Sequence, residues 1–448
     1  MQRRKNLGES VLFLLLLILP SALSAQDGDT QIRTFFMDFL CGRQGKIPEK
    51  HFKANHLENE RSLVWEAWRD ANRIWDEPVL PPLDSIGAAV VGDWELPDSI
   101  EPHAVMPFYF GYKGERPMSG YPLFLYLHGS GPKAQEWSNG LVLAKRFADS
   151  PSLYFIPQIP NEGRWYRWYQ RSKQFAWERL LRQALLRPDV NARRLYVFGI
   201  SEGGYGSQRL ASFYADYWAG AGPMAGGEPL KNAPAENLGH VAFSLLTGAE
   251  DKDFYRDILT GYTRSALDSL SAAYPAEYVH RVELIPGRGH HIDYSPTTPW
   301  LSGYERNPWP RHFIWEDYEM DGRHRNGFYN LLVNERPTDS LRTRYDVDIN
   351  GNTVNVKVQD VHYATTERDS VYGIEMKFAR TYTPSAQGRF TLFLDEHLVD
   401  LSRPVIVRVN GKQLFKGKLR LDRRHMLRSV AAFYDPCRIY PAAVDVAF

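Results

Sequence analysis

Short, continuous apolar runs alternate with amphipathic segments between residues 80 and 337 of the 448-residue chain. Seven of these runs are candidate strands: residues 88–91, 123–127, 153–156, 195–198, 219–222, 241–246 and 282–285. Runs without polar alternation are typical of parallel strands that are covered on both faces. Between them, apolar residues recur at helical spacing over residues 175–186, 205–217 and 254–274. The pattern predicts an α/β domain built on a mostly parallel sheet with flanking helices.

In the regions before and after this domain, hydrophobic residues recur with different spacings. Residues 31–75 carry aromatic and aliphatic side chains at helix-like spacing, which predicts a helical arm. After residue 341 valines alternate with polar residues, as in residues 354–358, and the pairs Asn350-Gly351 and Asn410-Gly411 mark tight hairpin turns. This part is predicted to be an all-β, sandwich-like module.

The first residues have the layout of a secretory signal peptide. Arg3, Arg4 and Lys5 precede an apolar run over residues 11–19, which is short for a bilayer span, and small residues follow Pro20. Cleavage is expected between about residues 22 and 26, and an uncleaved anchor is the alternative. No later segment is apolar enough to span a membrane, so a secreted protein, periplasmic or extracellular, without stable membrane insertion is expected.

Together these patterns predict four parts. They are a signal peptide at 1–25, a helical arm at 26–79, the α/β domain at 80–337 and the β module at 338–448.

The net charge and the two cysteines bear on three kinds of interaction: nucleic-acid binding, disulfide pairing and metal binding. The formal net charge is +1, which gives no electrostatic reason to expect binding to nucleic acid. Cys41 and Cys437 are the only cysteines, and they either pair or remain thiols. Neither has the C-x-x-C spacing of a structural zinc site, so no metal is expected.

The sequence Gly199-Ile-Ser201-Glu-Gly203 follows the candidate strand at 195–198 and opens a helical pattern. In G-x-S-x-G motifs at such a junction, the serine lies on a strained strand-to-helix turn that exposes its hydroxyl above the sheet. Ser201 is therefore the candidate nucleophile.

A serine hydroxyl needs a general base, which in turn needs an orienting acid. The loop after the strand at 241–246 carries Glu250, Asp251 and Asp253, and the loop after the next strand carries His290 and His291. The carboxyl ends of parallel strands share one edge of a sheet, so these loops are expected to converge on Ser201. Asp251 and His290 are the preferred acid and base, and the neighbouring residues are the alternatives.

An oxyanion formed at this serine requires two N–H donors. The backbone of Glu202, directly after the nucleophile, is expected to supply one. The other is expected from the loop His128-Gly-Ser-Gly131 after the strand at 123–127. Ser130 is the preferred donor there, and Gly129 is the alternative.

Four motifs resemble those of the α/β-hydrolase superfamily: Y-L-H-G-S-G at 126–131, G-I-S-E-G-G-Y-G at 199–206, G-A-E-D at 248–251 and G-R-G-H at 287–290. Within it, the chain is similar to secreted esterases of the polyhydroxybutyrate-depolymerase-like and feruloyl-esterase-like kinds. The resemblance covers residues 122–293 and implies a triad of Ser201, Asp251 and His290. Glu202 departs from the small or apolar residue often found at its position.

The expected activity is hydrolysis of carboxylic esters through an acyl-enzyme, without a cofactor. Two aromatic clusters suit sugar rings or phenolic acyl groups, or else pack as a lid, so acyl esters on polysaccharides are attractive substrates beside small esters. The clusters are Trp165, Tyr166, Trp168, Tyr169 and Trp177, and Trp300, Trp309, Trp315 and Tyr318. The alternatives are a serine peptidase of the prolyl-oligopeptidase type and a non-catalytic glycan-binding protein. Oligomeric state is not predicted.

Overall fold

A computed structural model describes residues 30–448, and the predicted signal peptide lies outside these residues. The described chain forms two compact units. The first contains the described residues up to Glu77 together with Arg420–Phe433 and Ile439–Ala442, and the second contains Pro78–Leu419, Tyr434–Arg438 and Ala443–Phe448.

The first unit is helical. Its helices are α1 (residues 30–40), α2 (Leu57–Ile74) and α8 (Arg423–Phe433). The ring of Phe36 on α1 meets that of Trp68 on α2, with centroids 5.1 Å apart. The Arg423 side chain of α8 donates to Glu60 Oε2 of α2 at 2.7 Å. A C-terminal helix thus packs on the N-terminal arm, and the arm's helical spacing over residues 31–75 corresponds to α1 and α2.

The second unit is built on an eight-stranded sheet in the order β1-β2-β4-β3-β5-β6-β7-β8. Its strands are Gly92–Glu95, Val105–Lys113, Tyr121–Leu127, Ser152–Pro157, Val190–Ile200, Gly220–Met224, Ala242–Gly248 and His280–Ile285. β2 is antiparallel to both of its neighbours, and β3 to β8 are parallel to one another. The predicted mostly parallel sheet is therefore confirmed.

Helices between the strands cover this sheet. They are α3 (Lys133–Arg146), α4 (Arg171–Leu186), α5 (Glu202–Phe213), α6 (Arg256–Ala273) and the short α7 (Thr297–Leu301). The strands β3 and β4 are buried along their whole length, as expected for strands that are covered on both faces. Their aromatic side chains form much of the core, including a stacked pair of Phe124 and Tyr154 with centroids 5.3 Å apart.

Two further sheets follow. The strands are β9 (His312–Asp317), β10 (Gly327–Phe328), β11 (Leu331–Glu335), β12 (Arg342–Asn350), β13 (Thr353–Arg368), β14 (Glu375–Pro384), β15 (Arg389–Leu394), β16 (Val405–Val409), β17 (Lys412–Gly417) and β18 (Ala442–Ala447). One sheet has the order β10-β11-β15-β18, and the other has β17-β16-β13-β12-β9 with β14 on β13. Trp315 of the larger sheet stacks on Phe328 of the smaller one at 5.2 Å, so the module has the predicted two-sheet arrangement.

Some predicted elements differ from the structure. Residues 88–91, predicted as a strand, are exposed loop, and the first strand is Gly92–Glu95, where Trp94 is buried. The strand β2 was not predicted. The domain boundaries stay predictions, although the β module draws its first strands, β9 to β11, from residues before 338.

Within residues 30–448, none of the helices combines the length and apolarity needed to cross a bilayer. Cys41 and Cys437 are free thiols.

Candidate active site

Ser201 lies at the junction of β5 and α5, on a strained turn. Its backbone has φ 57° and ψ −115°, in a region that side-chain-bearing residues rarely adopt. A Cβ atom at Gly203 would collide with the backbone oxygen of Leu127 on β3, so glycine at this position lets α5 approach the sheet. The motif therefore has the strand-turn-helix geometry of a nucleophile elbow.

Three of the predicted side chains form a continuous chain of hydrogen bonds. Ser201 Oγ lies 3.0 Å from His290 Nε2, and His290 Nδ1 lies 2.7 Å from Asp251 Oδ2. Asp251 is buried, whereas the His290 side chain is 34% exposed. With the proton of His290 on Nδ1, Nε2 is left as the acceptor for the serine hydroxyl. The structure thus brings together residues from the loops after β5, β7 and β8.

The alternatives at the acid and base positions lie elsewhere. Glu250 and Asp253 are exposed on the loop that carries Asp251. His291 is also exposed, and its ring centroid lies 6.0 Å from that of His290. None of the three takes part in the hydrogen bonds that link Ser201, His290 and Asp251.

Arg256, at the start of α6, holds the second oxygen of Asp251. Its Nη1 donates to Asp251 Oδ1 at 2.8 Å, and the two side chains are nearly inaccessible to solvent. With one oxygen held by the guanidinium and the other by His290, the Asp251 carboxylate is fixed in direction. Arg256 was not predicted from the sequence, because an arginine five positions after an acid on a loop has no distinctive pattern.

The loop after β3 lies beside Ser201. A Cβ atom on Gly129 would lie 3.5 Å from Ser201 Cβ, and Ser130 lines the same pocket as Ser201. Burial lowers the pKa of His128 to about 4, so its imidazole is neutral at physiological pH. The His128 Nε2 atom accepts the Ile159 N–H at 3.0 Å, and Nδ1 lies 2.8 Å from Gly129 O. These bonds fix the position of the loop.

The first predicted aromatic cluster also supports this loop. The Tyr166 hydroxyl donates to Gly129 O at 2.7 Å, and Trp168 Nε1 donates to His128 O at 2.9 Å. Trp168 and Trp177 are buried, whereas Tyr169 lines the pocket. In the second cluster, Trp315 and Tyr318 are also buried. Several of these rings therefore pack inside the protein, and Tyr169 lines the pocket with the Arg209 guanidinium 3.7 Å from its ring centroid.

Glu202 is buried beside Ser201. Its Oε2 accepts from Arg167 Nη1 at 3.1 Å, and its Oε1 has no hydrogen-bond partner within the described chain. Burial raises the pKa of the carboxyl to about 8, although the positive charge of Arg167 opposes this. The Glu202 side chain is thus largely uncharged at neutral pH.

A pocket of about 500 Å³ opens beside Ser201. Its walls include the backbone after β6, the start of α6 and the end of the β13–β14 hairpin. Four arginines line it, namely Arg167, Arg209, Arg256 and Arg368. Three glutamates also line it, namely Glu202, Glu228 and Glu375. The hairpin's contribution was not predicted, since the motifs of the site all end by residue 290.

A group of potential metal ligands in the described residues lies outside this pocket. It consists of Asp395, Glu396 and His397 on the loop after β15. The adjacent pair His290 and His291 does not belong to it.

No family model and no curated protein matches the sequence. Solved structures with a similar fold include a thermostable esterase, with 19% identity and a TM-score of 0.36 over 45% of this chain and 60% of the esterase. A poly(3-hydroxybutyrate) depolymerase from Bordetella parapertussis matches with 15% identity and a TM-score of 0.33 over 47% of this chain and 87% of the depolymerase. A ferulic acid esterase matches with 15% identity and a TM-score of 0.34 over 45% of this chain and 93% of the esterase.

The chain spans less than two thirds of the thermostable esterase. Its own strand order, with an antiparallel second strand and a serine elbow after the fifth, is that of the α/β-hydrolase fold.

Proposed function

We propose that the protein is a serine hydrolase that cleaves carboxylic esters. The observation that carries this proposal is the hydrogen-bonded chain from Ser201 through His290 to Asp251 at a strained elbow. A nucleophile, a base within hydrogen-bond reach and an acid that orients the base are the requirements for acyl transfer. Ester hydrolysis is thus the reaction class that the geometry supports best.

In the proposed mechanism, Ser201 Oγ attacks the ester carbonyl while His290 Nε2 accepts its proton. The N–H groups of Glu202 and Ser130 bind the oxyanion of the tetrahedral intermediate. His290 then gives the proton to the leaving alcohol, and an acyl-enzyme remains on Ser201. A water molecule then attacks the acyl-enzyme while His290 accepts its proton, which releases the acid and restores the serine. Asp251, held by Arg256, stabilises the imidazolium during both acylation and deacylation. No step needs a cofactor.

We further propose a substrate in which the ester joins an acyl group to a polysaccharide, outside the cell. Side chains that hydrogen-bond dominate the pocket walls, and Tyr169 lies among them with the Arg209 guanidinium over its ring. Such a combination suits sugar hydroxyls better than a long aliphatic chain. The signal-like segment of residues 1–25 supports secretion.

Labelling and parallel assays test the function. We expect the folded protein to react with a fluorophosphonate and to hydrolyse 4-nitrophenyl acetate at least 10-fold faster than dipeptide 4-nitroanilides. A preference for the anilides would instead indicate a peptidase. Failure to label and failure to hydrolyse either substrate would favour a glycan-binding protein on a hydrolase scaffold.

Ionisation of the Glu202 carboxyl is expected to lower the activity at alkaline pH. The carboxyl is neutral below its pKa of about 8, and above this pH it becomes a carboxylate next to the developing oxyanion. Arg167 stabilises that carboxylate, whereas the negative charge of Glu228 disfavours it. We expect kcat/KM for 4-nitrophenyl acetate, corrected for spontaneous hydrolysis, to be roughly tenfold lower at pH 9 than at its plateau.

In Glu202→Gln this alkaline decline should disappear, since the amide does not ionise. Glu250→Gln is the control, because Glu250 is an exposed acid on a neighbouring loop. If the decline persisted unchanged in Glu202→Gln, another group would be responsible for it.

A further inference from the structure

The β13–β14 hairpin projects from the β module to the mouth of the candidate site. Its end contacts the segment just after the loop that carries Asp251. The ring of Tyr372 lies against that of Phe254 with centroids 4.5 Å apart, and the Tyr255 hydroxyl donates to Asp369 Oδ1 at 2.6 Å. Phe254 and Tyr255 both have left-handed backbones, with φ of 54° and 57°. Two consecutive residues in this region are costly, so the packing around them must hold the segment in place.

A third contact joins the hairpin to the segment after β6. Lys231 Nζ lies 2.8 Å from Glu375 Oε2, and Glu375 Oε1 accepts from Arg368 at 2.9 Å. Arg368 also donates to the backbone oxygen of Gly373 across the hairpin. The guanidinium is therefore positioned by its own hairpin, although more than half of its side chain is exposed.

The pocket that the hairpin completes has an excess of positive charge. Five cations, the four lining arginines and Lys231, pair with only four acids, Asp251, Glu202, Glu228 and Glu375, because Glu375 is shared by Arg368 and Lys231. Glu228 is committed to Arg209 through two hydrogen bonds. Because the pKa of Glu202 is raised to about 8, Arg167 lacks a full countercharge at neutral pH.

A neutral ligand would leave this excess charge uncompensated. An anionic group would be attracted by it and could accept from several guanidinium N–H groups at once, and charge-assisted bonds of this kind are stronger than neutral ones. A carboxylate matches the planar geometry of an arginine fork.

We infer that the β13–β14 hairpin determines substrate specificity, with Arg368 binding a carboxylate carried by the ester substrate. This inference rests on the proposed esterase function and names its substrate class as an ester with an acidic acyl group or an acidic sugar. The β module is then part of the substrate-binding site.

Two matched pairs of substrates test the inference on the whole chain. The first is 4-nitrophenyl hexanoate and the mono-4-nitrophenyl ester of adipic acid, which has an acyl chain of equal length that ends in a carboxylate. The second is O-acetylated glucose and O-acetylated glucuronic acid, in which the carboxylate is on the alcohol side. We expect the protein to favour the acidic member of at least one pair by about tenfold in kcat/KM, mainly through KM, and less so at high ionic strength.

Arg368→Gln should remove most of that preference, and Arg368→Lys should keep part of it, while turnover of 4-nitrophenyl hexanoate reports an intact site. Lys377→Gln is the matched control: it removes one positive charge from an exposed position on β14 that does not line the pocket. Equal kcat/KM within both pairs, or a preference that Arg368→Gln leaves intact, would overturn the inference. Absence of turnover with every ester would refute the esterase function itself.

Discussion

Replacing Ser201 by alanine should reduce hydrolysis of 4-nitrophenyl acetate to nearly the uncatalysed rate. The hydroxyl oxygen is the atom that attacks the carbonyl in the proposed mechanism, and no other hydroxyl replaces it in the hydrogen bond to His290. Loss of a serine nucleophile in such a triad costs on the order of 10⁶-fold in kcat. We therefore expect a decrease of at least about 10⁴-fold, limited by the sensitivity of the assay.

The fold should survive this change. Ser201 already has a positive φ, so alanine adds little backbone strain, and the lost hydrogen bond is partly exposed. The melting temperature, measured by circular dichroism, should change by only a few degrees. Ser265→Ala, an exposed serine on α6, is the matched control and should keep full activity. Turnover in Ser201→Ala within tenfold of that control would exclude Ser201 as the nucleophile.

The positions of the three triad candidates could be predicted because each depends on local sequence. A parallel strand brings the loop at its carboxyl end to a fixed edge of the sheet. The loops after β5, β7 and β8 were recognisable from short apolar runs followed by glycine and polar residues. Which side chain of each loop lies within hydrogen-bond distance of the other loops could not be predicted, since that depends on a few backbone angles. The hydrogen bonds of Asp251 and His290, and the exposure of Glu250 and His291, come from the structure alone.

The first strands of the sheet were predicted poorly for a different reason. Strand β2 contains Pro107 and Gly111, which interrupt its apolar run, and it pairs antiparallel to both neighbours. Proline and glycine weaken a strand prediction, although pairing on both sides can stabilise such a segment. The strand β1 contributes one buried residue, Trp94, which stacks on Phe155 of β4 at 5.0 Å. Its stability comes from contacts between residues distant in the chain.

Long-range contacts also explain why the walls of the pocket were missed. Arg368 is 167 positions after Ser201, at the exposed end of strand β13. Nothing in the sequence around it indicates that Tyr372 meets Phe254 or that Glu375 meets Lys231. The candidate nucleophile and its partners belong to local motifs, whereas the residues that would select a substrate are brought to the pocket by tertiary packing.

Replacing His290 by alanine should lower kcat for 4-nitrophenyl acetate by about 10⁴-fold or more, because the serine then has no base within reach. His291→Ala removes an identical side chain from the adjacent position. His291 is exposed and takes no part in the hydrogen bonds between Ser201 and Asp251, so its loss should change kcat by less than about fivefold.

The comparison of the two variants separates the base from its neighbour, because both changes disturb the same loop. In His290→Ala, reaction with a fluorophosphonate should slow as strongly as turnover, since both need an activated Ser201. The Asp251 carboxylate keeps its bond to Arg256, so both variants should unfold within a few degrees of the original chain. Equal losses in the two variants would point to disruption of the loop. A loss confined to His291→Ala would require the loop to rearrange before catalysis and would make His291 the base.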